Sequence, residues 1–309
     1  MIGIGHTVVY ENNRVKPVRP RGIAYAIYNP NQHNWSDWRT VELPDESRFE
    51  NAGAGCAQRY DLPNGDLLVP FYFKEPKGTQ YSTTVMRARF ENEEIRYLEH
   101  GSELTVPVKR GLYEPSIAKF GDRFYLTMRN DDHGYVAVSD DGLAFSEPKR
   151  WTFDDGTDLG NYNTQQHWVA HSEAIFLVYT RRGANNDHVT RHRAPLFIAR
   201  IDPDTLQVIR SSEQVLVPEY GARLGNFGVT EISESETWVT VTEWIYDAEL
   251  VTMRKAKEAH HLYACISALA GACRPRARGV READLMWCQF MPPRAAEWIL
   301  DAPRPPGLD

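Results

Sequence analysis

The stretch YEPSIAKFGDRFYLTMRNDDHGYVAVSDDGLAFSEP, residues 113–148, puts Glu114 and Arg129 fifteen residues apart. That pair suits sugar chemistry. A glycosidic bond breaks through an oxocarbenium-like transition state, which a carboxylate stabilises or attacks. An acidic sugar calls for planar, bidentate donors, which arginine supplies. The plain alternative is a cross-strand ion pair. Downstream, five of the ten histidines fall within sixty residues: His133, His167, His171, His188 and His192. His167, beside Trp168 and after Gln165-Gln166, is the candidate proton carrier, because imidazole changes charge near neutral pH. A hydrogen-bonded structural histidine is the alternative. His188 and His192 are four apart, a metal-ligand spacing on a helix. The Asn, Asp and Arg residues around them read as loop, and no motif demands a metal or organic cofactor.

These side chains need elements to hold them. Short runs rich in Val, Ile, Phe, Tyr and Thr fill residues 1–245, among them IAYAIY, DLLVPFYF, TTVMRARF, RFYLTMR, GYVAVS, AIFLVYT, PLFIARI and TWVTVTEW. Each is bounded by Gly, Pro, Asn or Asp, which marks strands and turns. Asn64-Gly65 is a type I′ hairpin signal, and Gly121-Asp122 and Asp141-Gly142 repeat the logic. The strands group into units at about 50–105, 110–152, 162–218 and 220 onward, the sequence shape of a β-propeller. A β-sandwich is the rival. Residues 1–45 read as the outer part of a blade without its inner strands. Residues 1–247 are expected to be the propeller domain.

Residues 248–309 change character. AELVTMRKAKEAHHLYACISALAGAC reads as helical, and a stretch rich in Arg and Pro follows. The segment is expected to be an atypical basic tail, either an appendage or an artefact replacing a closing blade. Residues 251–309 hold nine Lys/Arg and six Asp/Glu, a balance of +3, so the rest of the chain carries −10 for a net −7. An acidic body disfavours nucleic acid, and any anionic substrate would need a local arginine cluster. The four cysteines have neither metal nor disulfide-framework spacing. No apolar run is long enough for a transmembrane helix, and the start does not read as a signal peptide. A cytoplasmic protein, or a secreted one whose leader was lost, fits this.

Residues 113–148 resemble a blade of the sialidase (BNR/Asp-box) superfamily. The matching features are Glu114-Pro115, the Gly121-Asp122 turn, Arg129, Ser139-Asp140-Asp141-Gly142 and Phe145, the box being one residue short. The resemblance extends at fold level over about residues 50–245 and implies a propeller of about six blades. It implies that Glu114 activates a tyrosine nucleophile and that Arg129 is one of three arginines clamping a carboxylate. QQHWVAHSEAIFLVYTRRGANNDHVTRHRAPLFIARID is similar to the following blade, with the next clamp at Arg193 or, failing it, Arg191. Asp140 and Asp141 would serve only the turn.

The pattern also breaks. Gly55-Cys56-Ala57 occupies the place of the family's Arg-Ile-Pro, with Arg59 four residues away. On the late strand Thr242 precedes Glu243 where a tyrosine belongs, and Tyr246 is displaced. Glu243 is kept as a candidate substrate-binding residue.

The expected function is a carbohydrate-active glycoside hydrolase acting on an acidic or deoxy-sugar glycan, its partner being an oligo- or polysaccharide. Neither nucleic acid nor a membrane is expected. Two alternatives stay open. A polysaccharide lyase would neutralise a uronate carboxylate with arginine and remove the C5 proton with histidine or tyrosine; His133, His167, Tyr179 and Arg193 could supply those parts. A non-catalytic glycan-binding propeller could stack sugars on Trp168, Trp238 or Trp244, although such residues more often belong to a core.

Overall fold

The computed structural model describes residues 1–12, 14–15, 21–45, 47–220, 222–233, 236–244 and 262–268. Among these the elements are strands, apart from 3-10 turns at Thr190–His192 and Arg210–Ser212. The strands form five antiparallel sheets in chain order, arranged as a β-propeller, beside a two-stranded hairpin of Tyr10–Glu11 with Arg14–Val15.

The first sheet pairs Ile2–His6 with Ile23–Asn29, Ile4 facing Tyr25, and adds Asn34–Trp35 and Arg39–Thr40. Among the described residues of 1–45, four strands thus form one sheet. Glycines 3 and 5 hid the first strand from composition, because glycine is poor in strand signal.

The second sheet runs from Glu94–His100 through Ser82–Glu91 to Asp66–Phe73, which also pairs Ala52–Gly53 and Tyr60–Asp61. The third is Tyr113–Phe120, Arg123–Arg129, Tyr135–Ser139 and Lys149–Arg150. The fourth is His167–His171, Ala174–Tyr179 and Leu196–Asp202, with short additions at Gln207–Val208 and Gln214–Val217. The fifth is Arg223–Ser233, Glu236–Trp244 and Leu262–Ala268.

The last strand corrects the helical reading of that stretch: Trp238 pairs with Ile266 in an antiparallel ladder. Ladder hydrogen bonds and sheet packing override the helix propensity of Ala and Leu there. The rest of 248–309 lies outside the described residues.

Burial explains why the sheets sit face to face. Asp66–Phe73 is buried along its whole length, as expected of a strand covered on both faces. One apolar core fills each space between successive sheets. Ile23, Tyr25, Phe71 and Met86 lie between the first and second sheets; Leu68, Val85, Ile117 and Leu126 lie between the second and third. Tyr125, Trp151, Trp168 and Leu177 lie between the third and fourth, and Val169, Val178, Phe227 and Val239 between the fourth and fifth.

Turn chemistry closes the hairpins. Gly65 has φ +87° at the Asn64-Gly65 turn, but Asn64 keeps a negative φ and instead accepts the Asp66 N–H on its side-chain oxygen, 3.1 Å. The turn is thus not the type I′ expected, which needs positive φ at both positions. At the 139–145 turn, the Asp141 carboxylate accepts the N–H groups of Leu143 and Ala144 at 2.8 and 2.7 Å, and Ser139 Oγ donates to it at 2.8 Å. The backbone bonds from Ala144 and Leu143 hold Asp141 below its ordinary pKa, against its burial. Gly142 has φ +79°, and a Cβ there would meet Leu68 Cδ1 at 2.5 Å. Phe145 packs on the core beneath.

Candidate active site

Near its start the first strand of the third sheet carries a bulge: the register slips between Tyr113 and Ser116, and Glu114 has φ +47°. Bulges re-aim side chains beside functional sites. Tyr113 faces Arg129 across the ladder, so the bulge turns the neighbouring carboxylate onto that arginine. Arg129 Nη1 donates to Glu114 Oε2 at 2.5 Å, with both side chains largely buried.

The same guanidinium donates from Nη2 to Asn163 Oδ1 at 2.6 Å and lies 4.8 Å from the centre of the Tyr113 ring. Arg110 lies at the same distance from that ring. Asp131 locks this stack by accepting Arg110 at 2.7 and 2.6 Å and the Tyr113 hydroxyl at 2.5 Å. Burial would raise the Asp131 pKa, but the bonds from Arg110 and Tyr113 outweigh it and hold it at about 2.

Two more arginines arrive from the loop after Tyr179. Arg191 donates to the backbone and side-chain oxygens of Asn163, so Asn163 ties it to Arg129. Arg193 donates to Asn226 Oδ1 on the fifth sheet at 2.7 Å and is 3 % exposed. Burial lowers the Arg193 pKa to about 10, aided by Arg191 and Arg129 and opposed by Glu114. Arg191 is lowered by burial and then by Arg129. Burial works against the charge of Arg129, but Glu114 and Tyr113 together outweigh it and the net shift is upward. The buried Nε atoms of Arg129, Arg191 and Arg193 have no hydrogen-bond partner.

Around these arginines the backbone is strained. Cys56, Glu114, Asn163, Arg191 and His192 all have φ between +47° and +60°. Such residues cost free energy and gather at functional sites.

Cys56 lies beside this cluster, within electrostatic reach of Glu114, Arg129 and Arg193. Asn226 Nδ2 donates to its Sγ at 3.0 Å. Burial, reinforced by Glu114, pushes the thiol up to about 12, so it stays protonated. Arg21 approaches from the first sheet and donates to the hydroxyls of Tyr72 and Tyr81, both at 3.1 Å. Burial and then Glu114 raise the pKa of the Tyr72 phenol. Asn163, Asn226, Tyr113, Tyr72 and Arg21 carry no motif, and the sequence reading missed them. The one available signal was Arg21 just ahead of the IAYAIY strand.

Of the sequence-stated candidates, the structure brings Glu114, Arg129, Arg191 and Arg193 together. His167 sits on the first strand of the fourth sheet, 3 % exposed, with Nδ1 2.8 Å from Ser116 Oγ and its ring edge-on to Phe227. Burial drives it down to about 4, opposed by a backbone bond to Phe227, so it is neutral. It belongs to a staple between inner strands. Trp168 N–H donates to Gln58 Oε1, Gln58 Nε2 donates to the Trp168 carbonyl, and Trp168 Nε1 donates to the Ser116 carbonyl.

His133 is held between Asp158 at 3.0 Å and Asp132 at 3.4 Å. Tyr179 lies in the core between the third and fourth sheets, its hydroxyl donating to Glu213, which also binds Arg181. Glu213 and Arg181 are a different set of partners from the Arg129 cluster. Glu243 is buried in the fifth sheet, paired in register with Leu224. Arg59 is spent on Asp61 and the Ile2 carbonyl. Trp168 is core, and Trp238 donates to Glu236. Tyr246 lies outside the described residues. His188 pairs with Glu219, and His192 with Asp187 and Tyr162.

A scan against protein-family models finds no match, and a search of curated proteins finds none. Solved structures do match in fold. Trypanosoma rangeli sialidase in complex with the inhibitor DANA superposes with a TM-score of 0.52 at 12% identity, over 82% of this chain and 44% of that one. The K499G mutant of NanB sialidase from Streptococcus pneumoniae gives 0.50 at 14% identity, over 76% of this chain and 34% of that one. A GH43_1 enzyme from Xanthomonas citri gives 0.44 at 14% identity, over 68% and 69%. The chain spans less than half the length of the sialidases it matches. At 12–14% identity the likeness to the two sialidases is one of fold, and it agrees with the all-β propeller described above.

Proposed function

We propose that this protein is a glycoside hydrolase whose substrate presents an anionic group, such as a sugar carboxylate, to Arg129, Arg191 and Arg193. The observation that carries this reading is one of charge and donors. Three guanidinium groups gather around one carboxylate, and three buried Nε donors are unpartnered. An unsatisfied buried donor costs about 1–3 kcal/mol, and an anionic ligand would relieve both that cost and the repulsion. Glu114, beside the bound anion, would stabilise the oxocarbenium-like centre and take the proton of the attacking water.

The saccharide partner is consistent with the glycosidase-type propellers that share the fold, though fold likeness alone assigns no chemistry. The test is a screen of acidic glycans with parallel readouts of reducing ends and of the ultraviolet absorbance of an unsaturated uronate. New reducing ends without that absorbance support hydrolysis, and the absorbance supports the lyase alternative. Binding without either signal would make the protein a glycan-binding propeller. Absence of binding to any acidic sugar would overturn the reading.

A further inference from the structure

Beside the arginine cluster lies a chain of polar groups that anion binding does not use. Tyr162 directly precedes Asn163, the residue that ties Arg129 to Arg191, and His192 stands between Arg191 and Arg193. The Tyr162 hydroxyl is 2.5 Å from His192 Nδ1, and His192 Nε2 is 3.1 Å from Asp187 Oδ1. A hydroxyl, an imidazole and a carboxylate hydrogen-bonded in series can pass a proton along the chain. Arg182 covers the Tyr162 ring at 5.0 Å and pairs with Asp158, and its N–H donates to the Gly160 carbonyl, closing the two loops on each other. His192 and Arg191 both have left-handed backbones, at φ +51° and +60°. Such strain persists only where surrounding contacts over-determine it, and the two occupied ring nitrogens of His192 are such contacts.

We propose that Tyr162 is the proton-transfer group of this active site, with His192 as its proton store and Asp187 as the orienting carboxylate. The proposal rests on the glycosidase reading and adds the acid that reading lacks. His167 cannot fill the role, because it is buried in the inter-strand staple.

Protonated His192 donates from Nδ1 to the Tyr162 oxygen, while the Tyr162 O–H donates to the glycosidic oxygen. As the bond from the anomeric carbon to that oxygen breaks, the leaving group keeps the bonding electron pair and gains the tyrosine proton, which His192 replaces. Water forms the new bond to the anomeric carbon and gives its proton to Glu114. Solvent then reprotonates His192 and deprotonates Glu114, so that water has been added across one C–O bond.

Burial raises the Tyr162 pKa against the pull of Arg182 and Arg191, so the phenol holds its proton at neutral pH, as a donor must. The charged groups next to His192 are Asp187, Arg191 and Arg193, with Arg182 across the Tyr162 ring. Asp187 is 95% exposed. Its contribution is screened by solvent, and Asp187→Asn should be mild.

The test uses leaving groups of different basicity. Wild type, Tyr162→Phe and His192→Gln are assayed on methyl and 4-nitrophenyl glycosides of glucuronate and of N-acetylneuraminate, with calorimetric binding of the two free acids in parallel. A methoxide leaving group needs a proton, whereas 4-nitrophenolate departs largely without one. Both variants should lose about 100-fold or more in kcat on the methyl glycoside, and at most about tenfold on the 4-nitrophenyl one. Equal losses on both substrates, or no loss on either, would overturn the proposal. Wild type that binds the acids but cleaves nothing overturns the relay and leaves the anion site standing. Wild type that neither binds nor cleaves overturns both.

Discussion

Removing Arg193 should cost the fold almost nothing and the ligand site a great deal. Its pKa falls from 12.5 to about 10 through burial and the nearby Arg191 and Arg129. The side chain stays charged at pH 7, since about 10 is still above 7, so the folded state carries a penalty of about 3 kcal/mol for that charge. In Arg193→Met the penalty goes, and the thioether stem keeps most of the apolar packing. The charged hydrogen bond to Asn226 is lost as well, at a cost of about 1.5–3 kcal/mol. The net change in unfolding free energy should lie within about 1 kcal/mol of zero, on the stabilising side if the Asn226 amide finds water. Most buried substitutions instead cost about 0.5–3 kcal/mol. Binding of an acidic sugar should weaken by about 2–3 kcal/mol, roughly 30- to 150-fold. Urea unfolding and isothermal titration read the two quantities on one preparation. A variant destabilised by more than about 2 kcal/mol that still binds the acid as wild type does would refute the reasoning.

Acid should weaken the fold through His167. Its folded pKa of about 4 lies below its ordinary 6.5, so the unfolded chain takes up the proton first. Stability is complete above pH 6.5 and falls by about 3 kcal/mol as pH drops to 4; His167→Gln should flatten the urea midpoint over that window. Asp131→Asn should cost about 2 kcal/mol in urea unfolding, because the carboxylate is held at about 2 by Arg110 and Tyr113. It should also raise KM by loosening the Tyr113 ring under Arg129. Gly142→Ala forces a Cβ against Leu68 at φ +79°. It should lower the unfolding free energy by about 2 kcal/mol without changing ligand affinity.

The fold was legible where local rules and tertiary pairing agree. Runs rich in Val, Ile, Phe, Tyr and Thr mark the second to fifth sheets, and the groups near 50–105, 110–152, 162–218 and 220 onward match sheets starting at Ala52, Tyr113, His167 and Arg223. It was illegible at Gly3 and Gly5, whose strand has no side-chain signature, and at Leu262–Ala268, where pairing with Glu236–Trp244 overrides a helical composition. In the site, Glu114 and Arg129 could be read because one hairpin brings them together, and Arg193 because its loop leads into a strand. Asn163, Asn226 and Arg21 arrive from separate sheets and loops, and no spacing rule links residues that meet only in space. His167 shows the converse: an imidazole near the axis looks catalytic in sequence, yet Ser116 and Phe227 enclose it.

Buried, under-satisfied guanidinium groups should favour an anionic sugar over its neutral ester. Calorimetric titration of glucuronate and N-acetylneuraminate against their neutral methyl esters tests it most directly. At least one acid should bind, and its ester should bind about 30-fold more weakly or worse. Equal affinity of acid and ester, or no binding of either acid, would contradict it.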